Sequence, residues 1–424
     1  MVSVYPTGTT IYHPEKCWNG YTLVGGGHLV DMNGRLCKSW EEIRTHAKLI
    51  PDGQVLGPVD DTHRLVQLDW DKNLVWEFDG STYEEELYPH HDFQREGNPV
   101  GYFVPDMPPE QSGRTLILCR AFVAGTDLVA GQILDDRILE VDEKGGIIWQ
   151  WRSVDHVEDI ALNEAAKNSM YRASILPKDY DGLHSPMHSK DPYDWLHSNS
   201  ASYVGPNRWY DKGDQRFHPE NIIFDSRDTN IIAIISRTTG EFTWKLGPDY
   251  TRPEYREFGQ IIGQHHAHII PQGLPGEGNL LVFDNGGFAG YGEPNPGAPI
   301  GEYNALRPYS RVLEIDPVTF ELKWEYSAKT AGYGYHHHYY FYSPFVSSAQ
   351  RLPNGNTLIC EGDSKRIIEV TTDCTTVWEY VMPPILGENY SYRAYRIPYD
   401  WVSQLETPNE KPVDPPDISS FNIG

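Results

Sequence analysis

Long apolar runs are missing from this chain. No stretch approaches the roughly 20 consecutive apolar residues a helix needs to cross a bilayer, so no membrane span is expected. Positive charge is scarce as well. Lys and Arg total 35 against 60 Asp and Glu, a formal net charge of −25. Such a surface repels phosphate backbones and anionic lipid, which argues against nucleic-acid and membrane partners. An anionic substrate would need a local cationic pocket inside this negative field. Cysteine is sparse: Cys17, Cys37, Cys119, Cys360 and Cys374 include no CxxC spacing of a zinc or redox site. Cys17 with Cys37, and Cys360 with Cys374, could form local bridges, weighed equally against free thiols. The opening Met-Val-Ser-Val-Tyr-Pro has neither a basic n-region nor an apolar h-region, so no secretion signal is expected there. Also absent are a Gly-Xaa-Ser-Xaa-Gly elbow, a Walker loop and a dinucleotide fingerprint. No motif picks out a carboxylate pair for glycoside hydrolysis.

What is present is a repeat. A β-branched run, a charged turn and a strand ending in tryptophan recur six times. The copies run from His28 to Trp40, Arg64 to Trp76, Arg137 to Trp149, Ile231 to Trp244, Arg311 to Trp324 and Arg366 to Trp378. Each alternates with period two and turns on Gly, Asp or Asn, as hairpin strands do. Several are preceded by a turn-and-strand signature such as Pro353-Asn-Gly-Asn-Thr-Leu-Ile. One unit is thus a sheet of about four strands, the size of a propeller blade. The expectation is an all-β fold, a single β-propeller over 1–424, with six blades visible and a seventh irregular blade as the alternative. The repeated tryptophans read as packing between blades. Inserted loops are expected at about 80–135, 152–194, 286–308 and 328–346, with a helical look from Val157 to Met170. The segment Tyr392 to Tyr399 is a candidate to complete the first blade, which lacks a partner strand of its own.

Polar clusters open several blades. They are His90-His91-Asp92-Phe93, Trp195-Leu-His197-Ser-Asn199-Ser200, Gln264-His265-His266-Ala-His268, Asp225-Ser-Arg227 and His336-His337-His338. In a propeller the innermost strand comes first, so these residues are expected to face the central channel. Imidazoles, a guanidinium and an amide can hold an oxyanion and move a proton, and a histidine can also act as nucleophile. For His336 to His338, amid Tyr333, Tyr335, Tyr339 and Tyr340, a substrate-lining loop and an exposed loop are equal expectations.

These motifs resemble the arylsulfotransferase β-propellers. Trp195-Leu-His-Ser-Asn-Ser matches their Trp-x-His-x-Asn-Ser signature. Asp225-Ser-Arg, Gln264-His265 with Phe283-Asp-Asn-Gly286, and His90-His91-Asp-Phe resemble later and earlier parts of the pattern. The resemblance spans Tyr21 to about Arg396. It implies His265 as a sulfate-accepting nucleophile, with His197, Asn199 and Arg227 on the sulfate oxygens and His91 (or His90) beside them. Three departures are expected to reshape the pocket: no counterpart of the bacterial enzymes' extra N-terminal domain in these residues, an insertion from Val204 to Asn221, and the additional His266 and His268.

Short secreted propellers with these signatures are also similar to polysaccharide lyases that cleave L-rhamnose from α-1,4-linked D-glucuronate on plant gum side chains. That similarity implies an extracellular, monomeric lyase acting on an acidic glycan by β-elimination. His91, His197, His265 and Arg227 would be catalytic, and His90, Asn199, His266, His268, Tyr335 and His337 would bind substrate. This is the first expectation. A nucleotide-independent aryl-sulfate sulfotransferase is the second, and a non-catalytic glycan-binding propeller the third. No cofactor is assigned. A calcium ion on the channel axis is the candidate metal, because carboxylate and carbonyl oxygens suit it. His266 and His268, on one strand face, are the alternative for a transition metal.

Overall fold

The computed structural model describes residues 7–59, 62–124, 126–176, 192–386 and 389–415. Six sheets of at least four strands, antiparallel except for the short strand Tyr193–Asp194 that runs parallel to Gln132–Val141, surround a central channel, so the repeat closes as a six-bladed propeller. Among the described residues the one further sheet is a two-stranded hairpin, Ala289–Tyr291 with Glu302–Ala305. The seventh-blade alternative therefore falls.

The second to sixth blades begin with their innermost strands: Lys48–Ile50, Tyr88–Arg95, Ser198–Tyr203, His265–Ile269 and Ser348–Arg351. The first blade borrows its inner strand from the other end of the chain. Ala394–Ile397 pairs with Tyr21–Val24, placing Tyr21 opposite Ile397. The outer edge of the sixth blade is completed by Gly8–Tyr12 against Thr376–Val381. Both chain ends thus help close the ring.

Packing follows from the repeat. Third strands such as Arg366–Val370 are buried on both faces, and the apolar clusters lie between neighbouring blades. Leu29 and Trp40 of the first blade meet Leu49 and Val66 of the second, and Leu56 and Phe78 of the second meet Phe93 and Ile117 of the third. Six tryptophans each donate Nε1–H to a carbonyl in the outer hairpin turn of the next blade. Trp40 reaches Asp69, Trp76 Glu143, Trp151 Gly240, Trp244 Pro317, Trp324 Thr372 and Trp378 Met32. In the third blade the bonding residue is Trp151, not the expected Trp149, which lies two residues earlier on the same strand face and is only partly buried against the same cluster.

Arginines at the ends of inner strands tie blades together underneath. Arg351 pairs with Glu314 at 2.6 Å, Arg396 with Glu369 at 3.0 Å, and Arg95 bonds Gln67 at 2.6 Å. The five cysteines are all free thiols, so neither local bridge forms.

The stretch 80–135, expected as an insert, contains the first two strands of the third blade. The 152–194 connection carries the helix Glu164–Ser174, capped by the Asn163 side chain on the Ala166 N–H. It packs against the Ala289–Tyr291 hairpin. Most of the His-, Pro- and Asp-rich Tyr180–Asp194 segment lies outside the described residues. The Val204–Asn221 insertion follows an inner strand and so sits on the opposite face from the one where inner strands begin. There Trp209 donates to the Gly278 carbonyl. It does not border the histidine cluster, contrary to the expectation that it reshapes the pocket.

Candidate active site

Three histidines from three blades meet where the inner strands begin. His91 (φ 53°) and His197 (φ 49°), like the neighbouring His266 (φ 55°), occupy the left-handed region. Ladder irregularities accompany the starts of all three strands. Such kinks re-aim side chains out of the pleat and are common beside active sites. The ring centroids of His91 and His197 are 5.1 Å apart, His91 lies 5.3 Å from Tyr392, and Tyr392 lies 6.4 Å from His265. Arg227, in the turn after the second strand of the fourth blade, acts electrostatically on both His197 and His265. Its guanidinium is buried, and it lies 3.9 Å from Asp228. His91, His197, Arg227 and His265 are therefore brought together.

Their protonation states differ because their surroundings differ. Burial holds His265 and His91 well below the ordinary imidazole value, helped by Arg227 at His265 and by neighbouring imidazoles at His91. Both are neutral near pH 7. Burial also penalises the charged form of His197, but the Asp194 carboxylate, 2.7 Å from its Nδ1, overcomes this and raises its pKa. His90 sits behind His91, with the two Nδ1 atoms 2.5 Å apart and its Nε2 3.3 Å from Asp136.

The ring of His265 is fixed at both nitrogens. Nε2 accepts the Val346 N–H at 3.1 Å, so Nδ1 carries the proton and donates to Asn285 Oδ1 at 2.8 Å. Asn285 is oriented in turn by donating to the Ser343 and Val346 carbonyls. Val346 (φ 54°) and Ser347 (φ 90°) hold this turn in the left-handed region, which is unfavourable for a β-branched valine.

The floor of the site comes from a part of the chain not assigned to it from sequence. Tyr392 and Arg393 cross the channel from the first blade to the fourth, and Arg393 donates to the Asn199 carbonyl at 2.6 Å. Asn199 Nδ2 bonds the Gln264 carbonyl, and its buried Oδ1 has no hydrogen-bond partner among the described residues. Deeper in the channel, Asp92 pairs with Lys48 at 2.6 Å and Arg393 at 3.1 Å. Two cations against one carboxylate do not fit calcium, which needs several oxygen ligands. Among the described residues no three His, Cys, Asp or Glu side chains are grouped as a metal centre requires.

The remaining expected site residues lie elsewhere. His266 and His268, with ring centroids 4.6 Å apart, point down the channel. Their Nε2 atoms meet Tyr395 Oη at 3.4 Å and Tyr102 Oη at 2.9 Å. His337 is exposed and stacks on Tyr340 at 4.9 Å, on the 3₁₀ turn Tyr335–Tyr340. The Tyr335 side chain lies outside what the structure describes. Asp194, Asn285, Tyr392 and Arg393 are the site residues missed from sequence. The first stands three residues before His197, and the second lies within Phe283-Asp-Asn-Gly286, so both had a local signal.

Comparison with solved structures finds chains of low similarity. A protein of unknown function from Bacteroides caccae is 11% identical, with a TM-score of 0.47, covering 89% of this chain and 99% of its own. A putative 6-phosphogluconolactonase from Bacteroides fragilis is 11% identical, with a TM-score of 0.38 over 91% of this chain and 100% of its own. AztD from Citrobacter koseri is 9% identical, with a TM-score of 0.37 over 89% of this chain and 98% of its own. No curated protein matches the sequence. Residues 99–393 match the family described as Arylsulfotransferase (ASST), a span that takes in Asn199, Arg227, His265, Asn285 and the Tyr392–Arg393 floor, and the chain belongs to that family.

Proposed function

We propose that this protein transfers a sulfuryl group from an aryl sulfate to a phenol, without a nucleotide donor, in the cavity bounded by His91, His197, Arg227 and His265. The observation that carries the reading is the convergence of these groups from three blades, with His197, Arg227 and His265 inside the matched family span and His91 just before it. Arg227 and the His197 imidazolium are suited to bind the sulfuryl oxygens, where negative charge must be held as the S–O bond breaks. Asn199 lies beside them.

His265 is the nucleophile in this reading. Its Nε2 lone pair forms the N–S bond as the aryl S–O bond breaks, and the bonding electrons leave with the phenolate. The acceptor phenol then gives its proton to neutral His91 and attacks sulfur, the N–S electrons return to the ring, and the proton on His91 passes through solvent to the released phenolate, which leaves as the phenol. Nε2 can react only after the Val346 N–H releases it. Asn285 keeps the proton on Nδ1 throughout. The family match lends no support to uronate β-elimination, and sulfuryl transfer takes its place as the leading function.

The test is release of 4-nitrophenol from 4-nitrophenyl sulfate, dependent on an added phenol, with the alkali-quenched enzyme mapped by mass spectrometry. A sulfuryl adduct on His265, absent in His265→Ala, is the expected result. An adduct on His197 would reassign the nucleophile. No turnover with any aryl sulfate would remove the proposal and leave a binding propeller.

A further inference from the structure

A cavity of about 580 Å³ lies between the fourth and fifth blades, on the face where the inner strands begin. The Arg227–Asn230 turn divides it from the histidine cluster, with Thr229 and Asn230 on the cavity side. Four carboxamides border it: Asn163, Asn230, Gln260 and Asn304. Asn230 Oδ1 accepts the Gly263 N–H at 2.8 Å, and Asn163 Oδ1 accepts the Ala166 N–H at 2.9 Å. The Nδ2 groups of these two, and the whole side-chain amides of Gln260 and Asn304, make no hydrogen bond among the described residues. A Cβ on Gly290 (φ 88°) would stand 2.8 Å from Asn304 Oδ1 and 3.0 Å from Asn230 Nδ2. An acceptor and a donor thus converge over bare backbone. Tyr250 and Tyr291 have committed their hydroxyls to the Asn230 and Trp195 carbonyls, at 3.0 and 2.8 Å, so what they offer the cavity is ring surface.

We infer that this cavity is a binding site for a neutral saccharide, one or two pyranose units of a glycan. An unengaged carboxamide presents donors and an acceptor together, and so matches a sugar hydroxyl, which both gives and accepts. The C–H faces of a pyranose pack on aromatic rings such as those of Tyr250 and Tyr291. Charge selects against ionised sugars. Among the described lining residues there is no Lys, Arg or His, and Asp249 is the one carboxylate. Its Oδ1 accepts both the hydroxyl and the N–H of Thr251, which, with Arg252 nearby, hold it below the usual carboxylate range. An anionic sugar would therefore meet a carboxylate rather than a cation. The volume falls within the range of small-molecule pockets, roughly 300–1,000 Å³. The site stands on this cavity alone and draws nothing from the sulfuryl-transfer reading.

The test is calorimetry on the full chain at neutral pH with methyl β-D-glucopyranoside, methyl β-D-galactopyranoside and methyl α-D-mannopyranoside. At least one is expected to bind with a millimolar dissociation constant or tighter. The methyl glycoside of the corresponding uronic acid should bind about threefold more weakly. Asn304→Ala and Gln260→Ala alter exposed side chains that the fold does not use, and each should weaken the neutral sugar by about three- to tenfold. No binding of any of the three glycosides to the unaltered protein would overturn the inference. So would a uronide that binds as tightly as its neutral counterpart. Undiminished affinity in both variants would put the sugar elsewhere on the molecule and overturn it too. None of these readings uses sulfuryl transfer, so the site and the proposed activity stand or fall separately.

Discussion

His197 and His265 are not interchangeable, although both are imidazoles in one cluster. Asp194 gives His197 a charge to sit against, and Arg227 gives His265 one to avoid. The division of labour follows. In the proposed transfer, His197 is the ring favoured as a cation to meet a sulfuryl oxygen, and His265 the neutral ring with a usable lone pair. A pH dependence comes with it, and its sign is fixed by the raised pKa of His197. The cationic form is complete below that pKa and is lost as pH rises through it, so turnover is expected to fall on the alkaline side of that point. Asp194→Asn removes the charge that raises the pKa while leaving burial in place. The descending limb of kcat/KM should therefore move to lower pH, and activity near neutrality should drop by about ten- to a hundredfold. A profile that keeps its limb while only its height changes would assign Asp194 to structure alone. Kinetics of Asp194→Asn across pH 5 to 9 decide it.

At the level of strands and turns, the repeated tryptophan works as a fastener between blades. Trp378 is fully buried, and its Nε1–H reaches the Met32 carbonyl at 2.8 Å, where the last outer blade meets the first. Trp149 is half-exposed, because the neighbouring Trp151 has taken the fastening position. Trp378→Ala should thus cost about 3–5 kcal/mol of stability, as large-to-small core changes do, and Trp149→Ala less than about 1.5 kcal/mol. Denaturant unfolding of the two variants checks the difference. Equal losses would deny the fastener its role. This also marks how far the sequence could be read. A tryptophan recurring at fixed spacing announces the blade, but two tryptophans one strand-period apart share a face and do not say which reaches the neighbouring blade's carbonyl. The inter-blade ties Arg351–Glu314 and Arg396–Glu369 were hidden, since each joins residues from consecutive blades that share no local motif. His91, His197, Arg227 and His265 were legible because each opens or ends a strand with a compact motif. Arg393 was not, because its role depends on crossing the channel from the first blade to the fourth. Nor was the Val346 amide on His265, since a backbone donor leaves no mark in residue type.

Across the whole molecule, two fields of opposite sign act on an anionic substrate at different ranges. The surface carries the excess of 60 acidic over 35 basic residues and repels it from a distance. In the proposed site, Arg227 and His197, whose cationic form Asp194 favours, attract it only at close quarters. Salt separates the two. The Debye length shrinks from about 30 Å at 0.01 M to about 8 Å at 0.15 M ionic strength, while groups inside a cavity are screened much less. Raising the salt over that range therefore removes most of the long-range repulsion and leaves most of the local attraction. For an aryl sulfate donor, kcat/KM is expected to rise roughly two- to fivefold across this interval, the reverse of an enzyme that steers its anion in with a basic surface. The rise should come through KM, because screening changes encounter and leaves the bound geometry alone. Initial rates at fixed pH over a salt series give the answer. A fall in kcat/KM would mean that the cationic mouth already governs approach at long range, and the acidic surface would then have no part in selecting what reaches the channel.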